Sequence, residues 1–279
     1  MAIQWFPGHM TKAKREMEEK IKSVDMVIEI RDARIPQASE NPMIQQIRGN
    51  KPCLIVLSKK DKADPVITKQ WIEKLTDDNQ MAISADLTKE DLAKLLVPKC
   101  QQLMKEKIER QIRKGIKPMA IKAMVAGIPN VGKSTLINRL AKRKVAETAD
   151  RPGVTRSLKW VKVSNELELL DTPGVLWPRF DDQSIGKVLA ITGAINDNIL
   201  PMEDLAYTAM EYLMKEYPEL IRQRYHISLQ DDVWENVLAI GRSRGFLRAG
   251  NTVDEDRTVQ ALIREIRQDK VGRISWEKP

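Results

Sequence analysis

The run GIPNVGKS, Gly127 to Ser134, constrains this chain more than any other stretch. It has the spacing G-x-x-x-x-G-K-[ST], with the apolar, β-prone segment IKAMVA before it and a helical pattern, TLINRLAKRK, after it. This context commits the chain to a strand-loop-helix unit, because such a loop wraps phosphate oxygens with backbone N–H groups at a helix N-terminus. Gly127 and Gly132 tolerate the backbone angles of the wrap. Asn130, Val131, Gly132 and Thr135 would line the cradle, Lys133 would neutralise the β and γ oxygens, and the Ser134 hydroxyl is placed to ligate Mg²⁺. A chance glycine-rich turn is the bland alternative; the flanking strand and helix argue against it.

Strand-like segments recur at Met26 to Ile30, Cys53 to Leu57, Met81 to Ser84 and Ala120 to Ala126, with helical patterns between them. That alternation predicts a mostly parallel sheet flanked by helices, an α/β domain. Leu158 to Val163 and Leu167 to Leu170 flank a short turn and add an antiparallel pair. Lys89 to Gly115 reads as one long helix ending at Gly115. After Pro178 strand signals fade and helices are expected around Ile185 to Ile191, Met202 to Glu216, Asp231 to Arg242 and Glu255 to Lys270. The expected organisation is therefore an α/β domain over 1–177 and a smaller all-α domain over 178–279.

With 279 residues the chain can bury a core for each. It has no apolar run long enough to span a bilayer, and its N-terminus lacks the core of a signal peptide. Two cysteines, Cys53 and Cys100, in apolar or helical context exclude a disulfide framework and fit a reducing cytoplasm. The net charge of +8 is unevenly spread: Lys105 to Lys162 holds 16 Lys/Arg against 4 Asp/Glu, whereas Pro178 onward holds 14 against 17. The basic segment suits a polyanionic partner such as nucleic acid, or is a lysine-rich solvated face.

Downstream of the phosphate loop, LELLDTPG puts Asp171 at the end of an apolar strand, where it would hold Mg²⁺ through water, with Gly174 placed to sense the γ-phosphate. Between them, in DRPGVTR, Thr155 could supply a second hydroxyl to the metal. No base-reading [NT]-K-x-D follows Gly174. The fitting stretch is Ser58-Lys59-Lys60-Asp61, which ends a strand upstream of the phosphate loop, with Ser84-Ala85 ending the next strand. The register Asp61-Lys62-Ala63-Asp64 is the alternative. An Asp61 carboxylate would accept two N–H groups of guanine and face an acceptor on adenine, a mismatch that selects guanine. Base motifs before phosphate motifs mean a circularly permuted order, tolerable where the original termini lie close.

WFPGHM (Trp5 to Met10), DARIP (Asp32 to Pro36), the permuted motifs and a helical tail together resemble the bacterial ribosome biogenesis GTPase A family, a circularly permuted, translation-factor-type GTPase. The resemblance covers essentially the whole chain. It implies a P-loop GTP hydrolase that uses GTP and Mg²⁺, acts late in assembly of the large (50S) ribosomal subunit, and is a cytoplasmic monomer. The tail would be similar to RNA-binding antiterminator domains. The family usually has Asn or Thr where Ser58 stands. It also implies K⁺ at Asn130, and, since Val175 occupies the place of the water-orienting glutamine, His9 as the group that orients or deprotonates water. Arg242, Arg244 and Arg248 are the candidate RNA contacts in the tail, with a solvated helix end as the alternative. A nucleotide-gated RNA-binding scaffold with incidental hydrolysis is the competing reading.

Overall fold

The computed structural model describes residues 8–146, 158–176, 182–195 and 201–279. It divides into two compact units, Met1–Phe180 with Glu277–Pro279, and Asp181–Trp276. The last three residues of the chain thus belong with the first unit.

The first unit is built on a six-stranded sheet of order β3-β2-β1-β4-β6-β5. Its strands are β1 (Met26–Asp32), β2 (Cys53–Ser58), β3 (Gln80–Ala85), β4 (Ile121–Ala126), β5 (Lys159–Lys162) and β6 (Leu167–Asp171). All pairings are parallel except β5 with β6. Every residue of β1 and β2 is buried, as expected of inner parallel strands covered on both faces. The edge strand β5 instead exposes Lys159, Trp160 and Lys162, and lysines at such a position discourage edge-to-edge pairing.

The helices of this unit are α1 (Gly8–Lys20), α2 (Pro42–Arg48), α3 (Pro65–Lys74), α4 (Leu92–Leu103), α5 (Lys105–Arg113) and α6 (Lys133–Ala141). Asn41, Asp64 and Asp91 cap α2, α3 and α4 by accepting N–H groups of the first turn, which stabilises each start by about 1 kcal/mol. The long helix expected over Lys89 to Gly115 is two. Leu92, Leu96 and Cys100 form a buried stripe that ends at Met104, where the backbone leaves helical geometry, and α5 buries nothing. The helix breaks where its apolar stripe runs out. Cys53 and Cys100 are free, buried thiols.

The second unit contains α7 (Gln183–Ile191), α8 (Met202–Glu216), α9 (Pro218–Tyr225), α10 (Val233–Ser243) and α11 (Glu255–Arg267). The sequence reading missed α9, a short helix opened by Pro218 directly after α8. Leu205, Ala209, Met210 and Leu213 of α8 form the buried centre with Val237 and Ile240 of α10 and Val259, Leu262 and Ile266 of α11. No helix among the described residues is long and apolar enough to cross a membrane.

Candidate nucleotide site

The parallel strands deliver the chemistry-bearing residues to one edge of the sheet, the side where their C-terminal ends lie and where such folds bind ligands. Asp32, Ser58 and Ala85 stand in register at the ends of β1, β2 and β3. The loop after β4 leads into α6, and Asp171 ends β6 opposite Val125.

The phosphate loop is held in a shape that leaves its donors open. Gly132 precedes α6 at a φ of 102°, no side chain caps the helix, and its first turn contains no acidic residue. Its N–H groups and the positive end of its dipole are therefore free to receive an anion. A Cβ at Gly132 would come within 2.7 Å of Leu87 Cδ1, so the loop following Ser84-Ala85 presses directly on the cradle. At Gly174 a Cβ would lie 2.8 Å from Lys133 Nζ and 3.0 Å from Pro129 Cα. The segment after Asp171 packs against the phosphate loop closely enough to exclude any side chain there. Ser134 and Thr135 lie half-buried in the first turn of α6, and Asn130 adopts a left-handed φ of 60°.

Two charges here lack a full counterpart. Lys133 is buried and donates to its own loop, the Ile128 carbonyl, at 2.7 Å. Burial pulls its ammonium down to about 8 despite the nearby Asp171 carboxylate. Asp171 is buried too, and burial pushes its carboxyl up to about 6 against the pull of Lys133. Its Oδ1 has no hydrogen-bond partner among the described residues. A buried ammonium hydrogen-bonded to a carbonyl suits a phosphate, and an orphaned carboxylate oxygen suits a cation or cation-bound water. Among the described residues no group of three His, Cys, Asp or Glu side chains could hold a metal alone. A metal here would lean on hydroxyls, one carboxylate and the nucleotide itself, the ligand pattern of Mg²⁺.

The base-reading side differs. The Ser58 hydroxyl is buried within hydrogen-bond reach of two carbonyls, Val131 at 2.7 Å and Arg31 at 3.0 Å. It ties the motif to the phosphate loop rather than facing out. Asp61 is half-buried and makes no hydrogen bond or ion pair among the described residues. Asp64, the carboxylate of the alternative register, accepts the N–H of Val66 at 2.8 Å and of Ile67 at 3.3 Å as the cap of α3. Of the two carboxylates, only Asp64 is committed to a helix cap. The partly exposed Lys59 reaches Asp32, at 2.9 Å. Asp32 and Arg34, within the DARIP stretch, thus adjoin the motif; sequence reasoning gave them no role, and only their position at a strand end signalled one.

Three other expectations fall differently. His9 lies in the first turn of α1, but its side chain, like Thr155 as a whole, is outside the described residues. Val175 is buried, and its carbonyl accepts from the Asn41 side-chain amide at 2.7 Å. The three tail arginines do not form an unpaired basic patch. Arg242 reaches Glu235 at 3.5 Å, Arg248 binds Asp254 and Asp256 at 2.9 and 2.8 Å, and Arg244 pairs with Glu265 while stacking over Tyr225.

A family profile described as a 50S ribosome-binding GTPase matches residues 122–230, which takes in the phosphate motifs and leaves the base-reading half outside. The chain is similar to ribosome biogenesis GTPase A of Priestia megaterium, 51% identical over 100% of this chain and 98% of the relative. It is also similar to the probable ribosome biogenesis GTPase A of Mycoplasma pneumoniae, 33% identical over 99% and 96%. Among solved structures, GNP-bound YlqF from Thermotoga maritima matches with a TM-score of 0.63 and 25% identity, over 96% of this chain and 98% of that one. Full-length identity at this level, joined to a phosphate-loop motif at the C-terminal edge of a parallel sheet, places the chain in the ribosome biogenesis GTPase A family, as a guanine-nucleotide-binding GTP hydrolase.

Proposed function

We propose that this GTPase binds the maturing large ribosomal subunit in the cytoplasm, as a monomer, and couples GTP binding and hydrolysis to a late assembly step. The observation that most supports its nucleotide coupling is the pair of only partly compensated charges, Lys133 and Asp171, packed under Gly174 at the open end of α6. Such a site stays electrostatically incomplete until a phosphate and a cation enter, so its switch segment responds to the nucleotide state. In this reading Asp61 selects guanine, with Ser58, Lys59, Ser84 and Ala85 shaping its pocket. Lys133 binds the β and γ oxygens. Ser134, Thr155 and, through water, Asp171 hold Mg²⁺, which would neutralise developing charge on the phosphates. Asn130 contributes to a K⁺ site. His9 orients or deprotonates the attacking water, a task Val175 cannot perform with an apolar side chain and a carbonyl already engaged by Asn41. Arg242, Arg244 and Arg248 contact ribosomal RNA, which requires exchanging their present carboxylate partners for phosphates.

The test is GTP turnover with and without large subunits. Stimulated turnover by the wild type that is lost in His9→Ala, with GTP affinity kept within about twofold, is expected. Unchanged stimulation in the variant would remove His9 from the mechanism. The burial of Val175 keeps a second reading in view, a nucleotide-gated RNA-binding scaffold with incidental hydrolysis. It gains if a His9→Ala chain that no longer hydrolyses GTP still supports subunit maturation in cells.

A further inference from the structure

Asp32 and Arg34, behind the base motif, have no part in the chemistry proposed above, yet they meet that motif directly through Lys59. Asp32 ends β1 and is fully buried. Its Oδ1 accepts from the Arg34 backbone N–H and Nε, each at 3.0 Å, and its Oδ2 accepts from Arg34 Nη2 at 2.7 Å and Lys59 Nζ at 2.9 Å. A buried ion cluster is a weak source of stability, because desolvation offsets much of the attraction; fixing geometry is the better-supported use for one. The geometry at stake is that of Lys59, which holds a φ of 56°, a backbone state that non-glycine residues with long side chains seldom adopt. Just before it, the Ser58 carbonyl accepts the Ala33 N–H at 2.8 Å and the Ser58 hydroxyl is bound to the phosphate loop. Lys59 is therefore pinned by its own side chain at the point where the chain turns from β2 toward Asp61.

The anchor itself is braced. The Asp32 N–H donates to Ser39 Oγ at 3.0 Å, and that hydroxyl donates to the Ile35 carbonyl at 2.6 Å. Further along the same loop, the Glu277 carboxylate accepts the N–H groups of Gln37 and Ala38 at 2.7 and 2.8 Å. We propose that Asp32, clamped by Arg34, is a positioning residue for guanine recognition: by holding Lys59 it sets the left-handed turn that presents Asp61 to the base. This rests on the reading of Ser58–Asp61 as the guanine motif. The cluster meets the base motif directly, through Lys59, and the phosphate loop lies one hydrogen bond further on, through the Ser58 hydroxyl.

Equilibrium binding of GTP, ATP and magnesium tripolyphosphate to wild type, Asp32→Asn, Lys59→Gln, their double variant and Asp61→Ala tests it. Each of the first two changes should weaken GTP about tenfold, in keeping with the cost of displacing a recognition group by a fraction of an ångström. Neither should move tripolyphosphate, which has no base, by more than about twofold, and the double variant should be no worse than either single one. Equal loss of GTP and tripolyphosphate would mean general damage and overturn the positioning role, as would fully additive effects or unchanged GTP affinity. If Asp32→Asn does not fold, Lys59→Gln, whose side chain is partly exposed, decides by the same GTP-against-tripolyphosphate split. Asp61→Ala separates the two readings. Loss of GTP-over-ATP selectivity there with no effect at Asp32 sinks only the positioning role; retained selectivity sinks the guanine motif and this inference with it.

Discussion

At the base-reading rim of the site the buried charges meet their opposites inside the protein, Asp32 between Arg34 and Lys59. At the phosphate rim, one hydrogen bond away through Ser58 and Val131, they do not: Lys133 rests on a carbonyl and Asp171 keeps an orphaned oxygen. The difference follows from what each ligand brings. Guanine is neutral, so the anchor behind the loop that reads it must carry its own counter-charges and is complete before the ligand arrives, with Asp61 alone left open at the loop's tip. The triphosphate and its cation carry several charges, so a rim prepared for them has to be left unbalanced without them.

The largest expected effects come from substituting the lysine of each rim. Lys133→Met should weaken GTP and GDP by at least about a hundredfold, because a charge-assisted contact to phosphate in a buried site is lost. It should leave the nucleotide-free protein equally stable or more so, since a buried ammonium without a full partner is removed. Lys59→Met should lower the stability of the nucleotide-free protein by about 1–3 kcal/mol, as Asp32 loses one of two cations while staying buried. Denaturant melts of the two variants without nucleotide check the contrast. Destabilisation of similar size in both would show that the rims do not differ in this way.

pH should separate the rims next. The Asp171 carboxyl is raised from an ordinary 3.8 to about 6, so the folded state binds its proton more tightly than the unfolded state and stability falls as pH rises between those values. Lys133 is lowered from 10.5 to about 8; here the unfolded state binds the proton more tightly, and stability rises with pH across that window. Magnesium nucleotide requires the opposite forms, an ionised Asp171 and a charged Lys133. Affinity should therefore be flat between about pH 6 and 8 and fall toward tenfold per unit outside. Asp32, held well below the usual carboxylate range despite its burial because Arg34 and Lys59 adjoin it, adds nothing across this span. Calorimetric titrations from pH 5 to 9.5 on wild type and Asp171→Asn read this out. The acid limb should shrink in the variant to what the nucleotide's own phosphate contributes; an unchanged limb would exclude Asp171.

How far the sequence foretold these rims also differs between them. The phosphate rim was legible because its chemistry fixes spacing: Gly132, Lys133, Ser134, Asp171 and Gly174 each serve a backbone or charge requirement that few other residues meet. The sheet was legible too, since fully buried parallel strands leave uninterrupted apolar runs such as CLIVLS. Asp32 and Arg34 stood in the DARIP stretch that carries the resemblance but received no role, because burial and the reach of Lys59 exist only in three dimensions. The choice between Asp61 and Asp64 needed the cap of α3, a backbone contact that spacing leaves open. The split of α4 from α5 was hidden because helical periodicity continues past Met104 while burial stops. The pairing of the tail arginines was not legible either: composition shows their charge but not the carboxylates that hold them.

The smallest effect tests the one hydrogen bond that joins the rims. The Ser58 hydroxyl lies on the Val131 and Arg31 carbonyls, facing the phosphate loop. Ser58→Ala should remove one buried hydrogen bond, about 1 kcal/mol and hence about fivefold in GTP affinity. Because the bond fixes the phosphate loop as well as the motif, GDP and tripolyphosphate should weaken by a similar factor, and GTP-over-ATP selectivity should not change. That pattern is the reverse of the one expected for Asp32→Asn, which spares tripolyphosphate. A Ser58→Ala variant that loses GTP but not tripolyphosphate would place the hydroxyl on the base and assign Ser58 wholly to the guanine rim; loss of both in equal measure keeps it as the tie between a finished rim and an open one.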